Sequence, residues 1–91
     1  MIEKVRRHMI FKGRVQGVGF RFVAVNAARN IGLTGWVKNC WDGSVELEAQ
    51  GSRQQIDLLL EALYSANYIR IEDIEMEKIP LEEERGFLVR Y

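Results

Sequence analysis

The sequence contains one cysteine, one histidine and no excess charge of either sign. A lone Cys40 cannot close an intramolecular bridge. With no cysteine–histidine cluster at ligand spacing, a secreted disulfide scaffold and a structural zinc site are excluded by counting. That cysteine usage points to a reducing, cytoplasmic setting. Thirteen basic and thirteen acidic side chains cancel, which argues against a protein whose main task is to neutralise a nucleic-acid backbone. Long apolar runs are also missing. Met9 to Phe11 is broken at once by Lys12 and Gly13, too short for a secretory core, and nothing else reaches the length of a membrane span.

What remains, 91 residues of which 47% are hydrophobic and 29% charged, suits a single domain spanning 1–91. A chain of this size buries roughly 60–70% of its unfolded surface, so a core forms without staples. Arg7 to Lys12 and Thr34 to Asn39 are rich in β-branched and aromatic residues and read as strands. Ser44 to Gln50 alternates, with Val45, Leu47 and Ala49 on one face and Glu46, Glu48 and Gln50 on the other, as a sheet with one buried face requires. Between the last two strands, Asp42-Gly43 marks a hairpin turn.

Ala24, Ala27, Ala28 and Ile31 fall on one helical face, and Gly32 is placed to end that helix. A second helix carries Ile56, Leu59, Leu60 and Leu63 in the same spacing, and Ser52 with Gln55 forms a capping box at its start. From Tyr68 to Met76 the apolar positions change phase near Glu72 and Asp73, as a strand interrupted by a bulge would. The acidic stretch Leu81 to Arg85 reads as a solvated connection, and Phe87, Val89 and Tyr91 alternate as a final strand. The order is strand, helix, strand, strand, helix, strand. This is an α+β, ferredoxin-like βαββαβ sandwich: an antiparallel sheet with two helices on one face plus a short C-terminal strand. That architecture hosts many activities and by itself names none.

The chemistry points to Gly13-Arg14-Val15-Gln16-Gly17-Val18-Gly19-Phe20-Arg21, which leaves the first strand and runs into the first helix. Glycines there permit either of two things: a tight turn with close packing, or backbone amides gathered around an anion at a helix start. Neither a Walker loop nor a dinucleotide fingerprint fits, because position 18 is Val and position 22 is Phe. Arg21 favours the anion, since a guanidinium fork matches phosphate oxygens. Asn39 ends the strand before the turn, where it is a turn residue or a polar site group. Asp42 reads as a turn residue, His8 as a sheet histidine and Cys40 as an inert thiol.

Taken together, that nine-residue segment, Gly35-Trp36-Val37-Lys38-Asn39, Asp42-Gly43-Ser44-Val45-Glu46 and the closing Gly86-Phe87-Leu88-Val89-Arg90-Tyr91 closely resemble the acylphosphatase family over nearly the whole chain. The resemblance implies hydrolysis of the carboxyl-phosphate bond of acyl phosphates to a carboxylate and inorganic phosphate, without metal or other cofactor. It implies that the amides of Val15, Gln16, Gly17, Val18, Gly19 and Phe20 bind the phosphoryl group with Arg21, and that Asn39 positions the water. Phosphate is then both product and competitive inhibitor. A monomer is expected, with no nucleic-acid or membrane partner. Two departures stand out. Cys40-Trp41 occupies the hairpin turn, with Trp41 read as a loop aromatic rather than a wall of the acyl pocket. Ser65-Ala66-Asn67 replaces the Gly-Pro pair common after the second helix. The alternative reading is a non-catalytic module that binds acyl or carbamoyl phosphate. An RNA-recognition domain is the other rival. It fails on placement, because its aromatic motif belongs on the third strand.

Overall fold

A computed structural model describes residues 3–91. It contains β1 (Val5–Arg14), α1 (Phe20–Ile31), β2 (Thr34–Asn39), β3 (Val45–Gly51), α2 (Arg53–Ser65), β4 (Arg70–Ile79) and β5 (Phe87–Arg90). The strands form one sheet in the order β4-β1-β3-β2-β5. Each neighbouring pair among the first four is antiparallel, and β5 joins β2 in parallel, so the sheet is mixed and the fold is the ferredoxin-like α+β sandwich.

Alternation decides which side of the sheet is covered. Met9, Phe11, Leu47, Ala49, Val37 and Phe87 are fully buried, and they pack against Ala24 and Ala28 of α1 and Leu59 and Leu63 of α2. Small alanines at i, i+4 let α1 lie close on the strands. The capping box closes as expected. Gln55 N donates to Ser52 Oγ at 3.1 Å, and Ser52 N donates to Gln55 Oε1 at 2.8 Å. Gln55 Nε2 also donates to the Ile31 carbonyl at 3.0 Å, tying the start of α2 to the end of α1.

The expected bulge is present. Lys12 pairs with Asp73 but Gly13 pairs with Ile71, leaving Glu72 unmatched, so Ile71 and Ile74 both pack on the core. Gly13 is obligatory there. Its φ is +126°, and a Cβ would lie 2.4 Å from the Arg70 carbonyl oxygen.

Three details differ from the sequence reading. β1 and β4 run further, to Arg14 and Ile79, because each supplies the other's hydrogen-bonding partners. Tyr91 lies beyond the end of β5 and is exposed, since the last β2 pairing is Lys38 with Arg90. The acidic stretch is a strap rather than a free connection. Arg6, on the outer face of the sheet, is fully buried beneath it and paired with Glu48, Glu82 and Glu84. Gln50 and the Glu82 backbone exchange two hydrogen bonds of 2.9 Å. Burial opposes the Arg6 charge, but the bonds to Glu84 and Glu48 outweigh it and hold its pKa above the ordinary value.

Candidate active site

The loop between β1 and α1 is anchored at both ends. Val15 is fully buried and Phe20 nearly so, with the Phe20 ring 5.0 Å from that of Phe11. Between these anchors, Gly17 and Gly19 take φ of +73° and +83°, the left-handed region that a side chain disfavours. A Cβ at either would meet nothing within 4 Å. That settles one question the sequence left open: these two glycines serve backbone shape, not close packing, and the space in front of them is open.

Gly19 is also the N-cap of α1. It makes no side-chain cap, and no acidic residue occupies the first turn. The first-turn amides therefore keep their donor capacity and the positive end of the helix dipole. Arg21 follows immediately, half-buried, with its guanidinium carbon 5.6 Å from the centroid of the Tyr91 ring. Among the described residues no carboxylate lies within ion-pair distance of Arg21.

Asn39 reaches the same place from the sheet. It pairs with Val45, so its side chain belongs to the helix-covered face, at the end where the glycine loop passes. Val15, Gly17, Gly19, Phe20, Arg21 and Asn39 together line one cavity of about 360 Å³. Among the described residues, Arg21 is the only charged side chain in its wall. The cavity therefore suits a small anion.

Two of the expected residues do something else with their side chains. Val18 packs against the core. Gln16 turns to the hairpin, donating through Nε2 to the Cys40 carbonyl at 2.6 Å and to the Ser44 carbonyl at 2.8 Å. It clamps the loop to the turn that follows Asn39. Asp42 is a turn residue, as expected: its Oδ1 accepts from Ser44 Oγ at 2.6 Å and from Ser44 N at 3.0 Å. The Ser44 hydroxyl, then the Ser44 amide, hold the Asp42 carboxyl below its usual range.

Sequence reasoning missed several walls of the cavity: Phe22, Val25 and Asn26 of α1, and Val89 of β5. Helical spacing of 22, 25 and 26 could have revealed a shared face, but nothing in the sequence says β5 lies across from it. His8, read as a sheet histidine, has its Nε2 2.7 Å from Glu46 Oε2, a cross-strand diagonal that only register creates. Among the described residues no group of three or more His, Cys, Asp or Glu is placed to hold a metal ion, and no helix is long and apolar enough to cross a membrane.

A second cavity, of about 690 Å³, adjoins the first. It shares Asn39 and Tyr91 and extends over the hairpin turn, past the fully exposed Trp41, to the outer face of the sheet.

Comparison with known proteins identifies the family. A family model described as Acylphosphatase matches residues 7–89. A curated acylphosphatase of Bifidobacterium longum is 45% identical over 89 residues, covering 94% of this chain and 92% of the relative. The crystal structure of acylphosphatase from Bacillus subtilis superimposes with a TM-score of 0.89 at 35% identity, over 96% of this chain and 99% of that one. The fold also recurs inside a longer protein: T. kodakarensis HypF matches with a TM-score of 0.83 at 32% identity over 96% of this chain but 12% of that one. With its glycine loop, arginine and asparagine gathered at one cavity, the chain belongs to the acylphosphatase family, whose activity is acyl phosphate hydrolysis.

Proposed function

We propose that the backbone amides of residues 15–20 and the Arg21 guanidinium bind the phosphoryl group of an acyl phosphate, and that Asn39 aims the water that displaces the carboxylate. The observation that carries this reading is the shared cavity: two left-handed glycines with open space before them, the uncapped start of α1, the Arg21 side chain and the Asn39 amide all line the same volume.

The chemistry asks for little more. The leaving group is a carboxylate whose conjugate acid has a pKa of about 4, so it departs at neutral pH without a general acid. A phosphate monoester leaves as an alkoxide and is handled poorly at the same site. In phosphoryl transfer, charge spreads over three equatorial oxygens, and catalysis reduces to positioning and preorganised donors. A guanidinium about 4 Å from one such charge contributes on the order of 4 kcal/mol at an effective dielectric near 20, before desolvation. Asn39 accepts from water through its carbonyl and donates through its amide, without placing a negative charge beside an anionic substrate. The phosphoryl oxygens then take the water's proton, which removes the need for a basic side chain.

On this reading the chain works without a metal, as a single-domain cytoplasmic monomer, and its product phosphate competes with substrate. The purified protein is incubated with acetyl phosphate and a chelator, and phosphate release is followed. Catalysed release supports hydrolysis; tight binding with no release supports the rival binding module instead.

A further inference from the structure

Zero net charge hides a local imbalance at the end of the sheet where the glycine loop leaves β1. Two cross-strand pairs there set cation directly against cation: Arg14 on β1 faces Arg70 on β4, and Lys38 on β2 faces Arg90 on β5. Like charges so placed destabilise a sheet. Three of the four also border the site in sequence. Arg14 precedes Val15, Lys38 precedes Asn39, and Arg90 precedes Tyr91, whose ring lies over Arg21.

Among the described residues, none of the four has a carboxylate within ion-pair distance. Glu46, opposite Lys38 on β3, is bonded to His8 instead, and Glu75 is paired with Lys12. Glu72 and Asp73 follow Arg70 on β4 and offset part of its charge, which leaves Arg14, Lys38 and Arg90 unopposed. Arg90 stacks on the Trp36 ring, 4.6 Å from its centroid, a contact that fixes its position and keeps its charge. Lys38 lines the hairpin cavity, which shares Asn39 with the candidate active site.

We propose that Arg14, Lys38 and Arg90 form a cationic rim that draws the anionic substrate to the site from solution without touching its phosphoryl group. The inference rests on the reading of the first cavity as a phosphoryl site. A phosphoryl group carries about −1.5 to −2 charge at pH 7. The rim raises its local concentration through a long-range attraction that salt screens. Substrate and transition state carry the same total charge, so the gain falls on KM and leaves kcat alone.

The test is acetyl phosphate kinetics at about 0.01 M and about 0.5 M salt for the wild type, Arg14→Gln, Lys38→Gln, the double variant and Lys38→Arg. Lys78→Gln is the control: it removes an exposed cation that also faces a cation, Arg7, but at the far end of β1. At low salt each single rim variant should lower kcat/KM about threefold through KM, and the double variant about tenfold, the size of charge–dianion attraction across roughly 10 Å of water. At high salt all should converge on the wild type. Lys38→Arg and Lys78→Gln should follow the wild type at both, and thermal unfolding of the rim variants should be unchanged or later, since each loses a like-charge neighbour. A loss that persists at high salt marks a direct contact or a structural role and overturns the proposal. So does wild-type KM in the double variant at low salt, or an equal loss in Lys78→Gln. If the wild type releases no phosphate from acetyl phosphate, the underlying reading fails with it; if it turns over normally and the double variant keeps its salt dependence, the rim alone is lost.

Discussion

The side-chain amide of Gln16 donates to the main-chain carbonyl of Ser44 at 2.8 Å, joining the glycine loop to the hairpin turn that follows Asn39. A second bond from the same nitrogen, to the Cys40 carbonyl, completes the clamp. The loop and the strand that carries Asn39, to which the anion donors and the water-aiming amide are assigned above, are far apart in the chain, and Gln16 ties one to the other.

Gln16→Ala should therefore cost kcat more than phosphate affinity. Loss of the clamp removes about 1–2 kcal/mol of net hydrogen bonding. The misplacement of Asn39 that follows lowers kcat roughly ten- to hundredfold. Steady-state kinetics beside a phosphate titration checks this; equal losses in both would assign Gln16 to the donor set itself.

Gly17→Ala separates backbone shape from packing. A Cβ there meets nothing, so any penalty comes from the +73° φ and amounts to about 1 kcal/mol in thermal unfolding. Phosphate affinity should fall by more than that stability loss, because relief of the strain reorients the loop amides.

Asp42 gives an acid-limb prediction. Its carboxyl is held below the model-compound value of 3.8 by Ser44, so its contribution to stability is fully present above that value and is lost as pH falls through the lower folded pKa. Asp42→Asn should flatten this part of the acid limb. Unfolding midpoints of both proteins between about pH 2 and 5 provide the comparison.

Arg6→Met should destabilise strongly although it touches no part of the site. It leaves Glu48 and Glu84, on the outer face of the sheet, without their cation, at a cost of about 2–3 kcal/mol after allowance for the partial exposure of both carboxylates. Arg6→Met with Glu84→Gln should recover part of the loss in denaturant unfolding.

Much of the architecture could be read from the chain because burial imposes periodicity. The strict alternation from Val45 to Gln50 has one physical solution, and the phase change near Glu72 survives as the unmatched residue opposite Lys12 and Gly13. Gly17, Gly19, Arg21 and Asn39 were also legible, through the family resemblance as much as through chemistry. The strap was not, since Glu82 and Glu84 look like any solvated charge run until the fold brings Arg6 beneath them from the first strand, 78 residues from Glu84. The Gln16 clamp was hidden for a related reason: its acceptors are main-chain carbonyls, which leave no mark in side-chain identity. Tyr91 was read as a strand residue, and only the end of the β2 pairing releases it to lie over Arg21.

Calorimetric titration of inorganic phosphate into the wild type, Arg21→Ala and Asn39→Ala, with acetyl phosphate turnover of each measured in parallel, tests the division of labour directly. The account predicts that Arg21→Ala loses both phosphate binding and turnover, with kcat/KM down by about 10²–10³. Asn39→Ala should bind phosphate as the wild type does while losing most of its rate. Wild-type phosphate affinity in Arg21→Ala, or full turnover in Asn39→Ala, would contradict it.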